Sequence, residues 1–466
     1  MIGRFRLYRQ FITSAVHNMS EGISRQLVLP KGRGFGLKDG ALDKDAFRKA
    51  IHVLAAKVPP EKAGVLLKAP ALKRSLIDVA KVKSVARGPN QERLVLLKYT
   101  NEADLPPEAL GFLQSELAEL VSHELTFDYD YWSTDEVIHA ILPEELEAGA
   151  PSGFAVVGHI AHLNLRPEYL PYKLVIGQIV LDKNPSVRTV VNKLDNISTQ
   201  FRVFSMELLA GEPDFVVTQS ENDCRFTFDF REVYWNSRLH TEHERLITKF
   251  DKDDLVVDVF AGVGPFAIPA AKKGCAVLAN DLNPSSRKYL TLNIAENRVG
   301  TLVRAFCEDG REFIRQAFNR AWDDPLAPVP LPKISRSEQK EIRAGQRPAP
   351  PPGPQRNRIG HFVMNLPDTA ILFLDAFRGV LSRANADGRD LSGLYDEKSM
   401  PIIHTHCFTR ELEPEKAEVD IRQRVEEKIG CRLGEDTAYH WVRSVAPQKE
   451  MYCMSFRLPH AVAFAS

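Results

Sequence analysis

The stretch VVDVFAGVGPFAIPAAKKGCAVLANDLNP, residues 256–284, constrains this chain more than any other. An apolar strand runs into Asp258, a glycine-bearing turn follows at Phe260-Ala261-Gly262-Val263-Gly264-Pro265, and a helix leads to a second strand that ends in Asp281. A strand, a tight turn opening a helix and a second strand with an acid at its end make one unit of a doubly wound parallel sheet. Glycines at the turn let a ligand approach the backbone closely, and Pro265 is expected in the first helical turn, where its missing N–H costs little. The third glycine of G-x-G-x-x-G is absent, because the chain reads G-V-G-P-F-A. Without that pyrophosphate cradle, the pattern points to a nucleoside lacking phosphates, such as S-adenosylmethionine, with Asp281 placed for a ribose diol or else as a helix cap.

Strand–helix alternation continues from residue 236 to the C-terminus, through LVVDVFAG, CAVLANDLN, VRAFCEDG, HFVMNLP and PIIHTHCF, with YHWVRSVAP and MYCMSFRL as an antiparallel pair. The expected fold class is therefore α/β, with a Rossmann-like domain over 236–466. Ahead of it, residues 23–125 read as a small mixed domain and 126–235 as a strand-rich one. In the first, LDKDAFRKAIHVLAAKV and PPEALGFLQSELAELVSH have helical spacing; in the second, KLVIGQIVLDKN reads as a strand. Asp324–Arg358 holds nine prolines and little to bury, which predicts a disordered insertion dispensable for chemistry.

A chain of 466 residues exceeds one ordinary core. Lys+Arg and Asp+Glu balance at 61 each, but residues 1–90 carry 18 basic side chains against 6 acidic, and residues 91–150 carry 2 against 14. That asymmetry fits one positive surface for a polyanion beside a solvated acidic one. Arg4, Arg6 and Arg9 among hydroxyl and apolar residues, with no acid before Glu21, give residues 1–22 the composition of a mitochondrial presequence, with Met19 as a second start. No apolar run is long enough to span a bilayer. The six cysteines are scattered, which predicts a reducing compartment. Alternation puts His404 and His406 of HTHC on one strand face, but no second ligand cluster stands beside them in sequence, so no metal is expected.

Two further strand ends carry polar groups. Asp309, in Cys307-Glu308-Asp309-Gly310, is placed to accept from an adenine amino group or to cap the helix REFIRQAF. Asn365, in HFVMNLPDTAILFLDAF, closes the fourth strand ahead of Pro367 and an apolar run at helical spacing. Its amide can both accept from and donate to a base edge, or merely shape the loop as an Asx-turn.

FSMELLAGEPDF, REVYWNSRLHTEHERL, DVFAGVGPFAIPAAKKG, NDLNP and FVMNLPDTAILFLDAF, with PSGFAVVGHIAHLNLR ahead of them, resemble the eukaryotic/archaeal tRNA (guanine-37-N1)-methyltransferase family from about residue 130 to the C-terminus. The resemblance implies a class I methyltransferase fold that binds S-adenosylmethionine, N-terminal domains that grip tRNA over its anticodon loop and body, and action as a monomer. It assigns the general base to Glu242, which would take the guanine N1 proton with a pKa raised by partial burial. Arg202 is the cation that would stabilise charge on O6, or else a surface ion-pair residue. Tyr234 would stack on the target region, or pack as a core aromatic. The implied cofactor set is His243, Phe260, Gly262, Gly264, Asp281, Leu282, Asp309, Gly310 and Asn365, with a purely structural His243 as the alternative. Rival readings are a wybutosine-pathway aminocarboxypropyl transferase, a non-catalytic tRNA-binding protein and, more distantly, a dinucleotide-dependent oxidoreductase. Leu366 and Asp368 depart from the Asn-Pro-Pro-aromatic pattern of amino-group methyltransferases. The expected locale is the mitochondrial matrix, with cytoplasmic and nuclear pools from the Met19 start.

Overall fold

The computed structural model of the chain describes residues 23, 26–32, 34–151, 153–197, 201, 203–329, 335–351 and 353–466. The presequence-like segment 1–22 and Arg202 lie outside the described residues. The chain clusters into two compact units, where three structured segments were expected. One holds residues up to Ala155 with Ala161–Asn192 and Leu208–Glu212; the other holds Val156–Ile160, Lys193–Glu207 and Pro213–Ser466.

Within the first unit, a four-stranded antiparallel sheet orders as Val85–Arg87, Arg93–Leu96, Lys49–Val58 and Glu119–Phe127. Lys49–Val58 has a spacing that suggests a helix. It forms a strand because neighbours pair with it on both edges, and Val53, Ala55, Ala56 and Val58 are buried within the sheet. The helix expected over residues 106–123 stops at Ser115; Leu117 takes a positive φ of 55°, and the chain then joins the sheet as Glu119–Phe127. KLVIGQIVLDKN errs the other way, forming the helix Lys173–Lys183 rather than a strand. Its buried Val175, Ile176, Ile179 and Val180 recur at i, i+1, i+4 and i+5, one helical face.

In the second unit, seven strands form one sheet: β1 Leu255–Asp258, β2 Ala276–Asn280, β3 Val303–Phe306, β4 Ile359–Met364, β5 Ile402–Thr409, β6 Ala438–Ala446 and β7 Lys449–Arg457. Their order is β3-β2-β1-β4-β5-β7-β6, parallel from β3 to β5 and antiparallel through β7 and β6. Helices α1 His240–Thr248, α2 Ala267–Lys273, α3 Pro284–Glu296, α4 Gly310–Asp323, α5 Arg336–Arg343 and α6 Pro414–Ile429 accompany it. Val257, Leu278, Phe313, Phe318, Phe362, Ile403 and Ile421 meet in its core. Because β1 and β2 are buried along their whole length, they read as continuous apolar runs rather than alternating ones. The edge strand β6 slips register against β7 twice, between Trp441 and Arg443 and between Ser444 and Ala446. The apolar run after Asn365 coils as a 3₁₀ helix, Ala370–Phe377. No helix among the described residues is long and apolar enough to cross a membrane.

The described residues of the proline-rich insertion include defined structure, against the expectation of a disordered segment. Leu326 bridges Arg356, Val329 donates to the Pro354 carbonyl at 3.0 Å, and α5 begins with a Ser335–Glu338 capping box. Leu326 packs in the core and Arg356 is buried, so the segment's ends belong to the fold. Its middle, by contrast, buries no residue of α5. Replacing Ser335–Pro351 by a short Gly-Ser linker should leave the melting temperature within about 3 °C of wild type, whereas Leu326→Asp should cost about 2–4 kcal/mol. Thermal denaturation of the two variants measures both effects.

Candidate functional site

The carboxyl ends of β1, β2 and β3 are tied together by one side chain. Asn280, fully buried, donates to the Val259 and Glu308 carbonyls at 3.2 and 3.0 Å and accepts from Glu308 N–H at 3.0 Å. The next residue, Asp281, accepts from Gly262 N–H through Oδ2 and from Asn283 N–H through Oδ1, each at 2.9 Å. Two sequence-predicted residues are therefore in direct contact. Burial raises the Asp281 pKa, with these backbone donors opposing it. Helix α3 is capped by Asn283, whose Oδ1 accepts from Ser285 N–H, and not by Asp281.

Gly262 has φ 55°, and a Cβ there would point into open space, so a ligand can reach its backbone. Gly264 has φ 101°, and a Cβ would strike Ile268 and Leu290 at 2.8 Å; its role is close packing of the turn on α2 and α3. Pro265 precedes the N-cap Phe266 of α2 and so lies ahead of the first turn, not in it. Across the rim, Phe260 meets Phe373 edge-on at 5.0 Å, and a Cβ on Gly310 would come within 2.9 Å of Phe260. Asp309 caps α4, accepting from Arg311 N–H at 2.9 Å while remaining exposed, and Leu282 is exposed as well. Asn365 follows β4 with its Oδ1 shielded from water and without a hydrogen-bond donor. That orphaned acceptor, with the open side of Gly262 and the exposed Asp309, fits a nucleoside-bearing ligand at this rim.

Glu242 is buried more deeply, and partnered more strongly, than the sequence suggests. It is only 2% exposed, on α1, and ion-pairs with Arg245 through Nε–Oε2 at 2.6 Å and Nη2–Oε1 at 2.8 Å. From β5, His406 Nε2 lies 2.7 Å from Oε1. Burial favours the neutral acid, but the hydrogen bonds and charges of Arg245 and His406 outweigh it and hold the carboxyl far below the usual range. The expected upward shift is thus reversed. Burial would likewise neutralise His406, but the Cys453 sulfur and the Glu242 carboxylate beside it favour its charged form. Glu242, His406 and Cys453 bring their donor atoms within 4.8 Å of one another, companions for His406 that the sequence did not reveal. With Arg245 and His406 hydrogen-bonded to the carboxylate, we assign the group as an ion-pair cluster. His243 is buried, and its Nδ1 sits 2.5 Å from Glu221 Oε1. Tyr234 is 46% exposed, which removes the core-aromatic alternative. Neighbouring His404 bonds Ser455 and His361 at 2.8 and 3.0 Å instead of joining Glu242.

Asp258 belongs to the same strand end as the Gly262 turn, though its sequence context assigns it no role. It is fully buried at the end of β1 with no close side-chain partner, and burial together with the nearby Asp281 pushes its pKa up to about 8, opposed only in part by the Phe260 backbone N–H and the charge of His406. A lone acid closing an all-apolar strand was the available signal.

Residues 134–214 match the family described as the TYW2 N-terminal domain, and residues 217–322 match the TRM5/TYW2 methyltransferase domain. A tRNA (guanine(37)-N(1))-methyltransferase of Coprinopsis cinerea is 58% identical over 91% of this chain and 94% of its own length. The protein of the same description from Schizosaccharomyces pombe is 47% identical over 91% and 95%. Among solved structures, Trm5b from Pyrococcus abyssi aligns with a TM-score of 0.56 at 23% identity, covering 87% of this chain and 99% of that one. The aTrm5 chain solved with tRNALeu gives 0.58 at 22%, with the same coverage. Both structures share this chain's fold.

Asp258 gives a pH prediction. Its folded pKa is raised above its unfolded one, so its contribution to stability is full below the unfolded value and is lost as pH rises towards about 8. Asp258→Asn never needs that proton. Its melting temperature should therefore gain on wild type from pH 5 to pH 8, at up to about 1.4 kcal/mol per pH unit, and level off above. A constant difference in melting temperature across pH 5–9 would contradict the assignment.

Proposed function

The chain belongs to the tRNA (guanine(37)-N(1))-methyltransferase family, and from that premise we propose how its own residues carry the reaction. The protein is an S-adenosylmethionine-dependent methyltransferase that acts on N1 of guanosine 37 in tRNA. The observation that carries this is likeness along nearly the whole chain to relatives of one activity. Bound S-adenosylmethionine supplies the electrophilic methyl group.

In our reading, Asp281 and the Gly262 backbone hold the ribose side of the cofactor, Asp309 faces the adenine, and Phe260, Leu282 and Gly310 complete that rim. The Asp281–Gly262 hydrogen bond and the exposed cap at Asp309 support this arrangement. Asn365 positions the guanine, and its undonated Oδ1 is free to accept an N–H from the base edge. Glu242 takes the N1 proton, since the N1 lone pair is unavailable until that proton leaves. Arg202 stabilises negative charge on O6, and exposed Tyr234 supports the target nucleoside. His243 contributes to the cofactor side of the site from α1, where its contact with Glu221 holds it in place. We further propose that the enzyme acts as a monomer on the anticodon loop and body of tRNA. The basic, acid-free segment before Glu21 supports mitochondrial import. A fusion starting at Met1 should enter mitochondria and one starting at Met19 should not; identical distributions would remove the targeting proposal.

Two substitutions test the site. Glu242→Gln should slow single-turnover methyl transfer by roughly 10²–10⁴-fold with cofactor binding little changed. It also leaves two cationic groups short of a partner and should cost up to about 3–5 kcal/mol in stability, so rates must be compared well below the variant's melting point. Asp281→Ala should weaken S-adenosylmethionine by about 1–3 kcal/mol in calorimetry, with methylation restored at high cofactor concentration. Unchanged affinity with the fold intact by circular dichroism would dismiss the ribose contact.

A further inference from the structure

The two oxygens of Glu242 are not equivalent. Oε1 accepts from both Arg245 Nη2 at 2.8 Å and His406 Nε2 at 2.7 Å, which uses the two lone pairs of a carboxylate oxygen. Among the described residues, Oε2 accepts from Arg245 Nε alone, at 2.6 Å. The next group towards it, His440 Nε2 on β6, stands at 3.6 Å, beyond hydrogen-bonding distance, and its side chain is 46% exposed. One oxygen is saturated inside the protein, while the other keeps a lone pair on the side where a half-exposed imidazole meets solvent.

Taking Glu242 as the base, as above, we propose that Arg245 and His406 are positioning residues that saturate Oε1 and leave Oε2 as the atom that takes the guanine N1 proton, from the His440 side. The N1–H bond breaks and its proton moves to Oε2. The freed N1 pair forms the bond to the methyl carbon, whose former bond leaves its electrons on sulfur. Arg245 sits three residues along the same helix and fixes the plane of the carboxylate with its fork. His406 reaches across from β5 and fixes its rotation. The same two groups keep the carboxylate ionised, which makes the base ready at low pH but weak. The titratable groups around it are Arg245 on α1, His406 on β5, His440 on β6 and Cys453 on β7, with Asp258 of β1 acting on His406.

The test is the pH profile of single-turnover methylation of a guanosine-37 tRNA, at saturating enzyme and S-adenosylmethionine, between pH 5 and 9. In wild type, two cationic partners hold Glu242 ionised, so the rate should stay flat to the acid end of that range. His406→Gln and Arg245→Gln retain donors but lose charge. The carboxylate pKa then rises, and an acid limb should enter the window, shifted by one pH unit or more, with a plateau about tenfold below wild type. A merely structural role would lower the melting temperature and the rate but leave the profile's shape unchanged, and that outcome in both folded variants overturns the proposal. A limb that moves in only one variant overturns the two-armed arrangement. If His406→Gln fails to fold, Arg245→Gln, whose side chain is 22% exposed, decides alone. Glu242→Gln at wild-type rate would instead remove the base itself, a failure distinguishable from a slow Glu242→Gln beside unmoved profiles.

Discussion

The hydrogen bonds of Asn280 are the constraint on which the rim of the sheet depends. A buried amide must have its donors and acceptor met, and here all the partners are backbone groups at the ends of neighbouring strands. Satisfying them fixes where β1, β2 and β3 stop relative to one another, and so where the Gly262 turn, Asp281 and Asp309 emerge. The pairing of Ala261 N–H with the Asn280 carbonyl at 2.7 Å adds a main-chain tie at the same point. Removing one such partner costs about 1–3 kcal/mol for each group left bare, more than most surface contacts contribute.

Two buried carboxyl groups in this unit show what decides the state of an acid. Asp258 has no cationic hydrogen-bond donor on its oxygens and at most the Phe260 backbone N–H near them, so desolvation governs and it is held neutral around pH 7. Glu242 is about as well buried, yet Arg245 and His406 together overturn the same penalty and keep it charged. Burial alone therefore predicts neither; the donors do. The cost of taking the Glu242 charge out of water is met by its partners, which makes removal of any one of them more harmful than the bond it made.

The glycine turn, Asp281, Asp309 and Asn365 were legible in sequence because strand ends and turn residues are local signals, and parallel topology then gathers them at one end of the sheet. The Glu242 cluster was not. His406 lies 164 residues from Glu242, and only the pairing of β5 beside β7 brings Cys453 to it. The HTHC motif places His404 and His406 on one strand face but gives no sign that His406 meets a carboxylate from α1. The apolar runs of Lys49–Val58 and Lys173–Lys183 suit either period, and pairing partners or a buried face decide between them. The insertion was misjudged at its ends, where Leu326 and Arg356 are single anchors in a segment of otherwise soluble composition.

The two register slips in β6 have a consequence for the protein in a crowded solution. Among the described residues β6 is the last strand of a seven-stranded sheet, and it carries Trp441 and Val445 exposed. A long, regular, apolar edge of that kind is a template on which a second chain can add strands and begin to aggregate. Bulges interrupt the spacing of free N–H and C=O groups and twist the edge away, so an incoming strand finds no continuous ladder. The irregularity beside His440 thus keeps the sheet finite at the strand where it would otherwise grow.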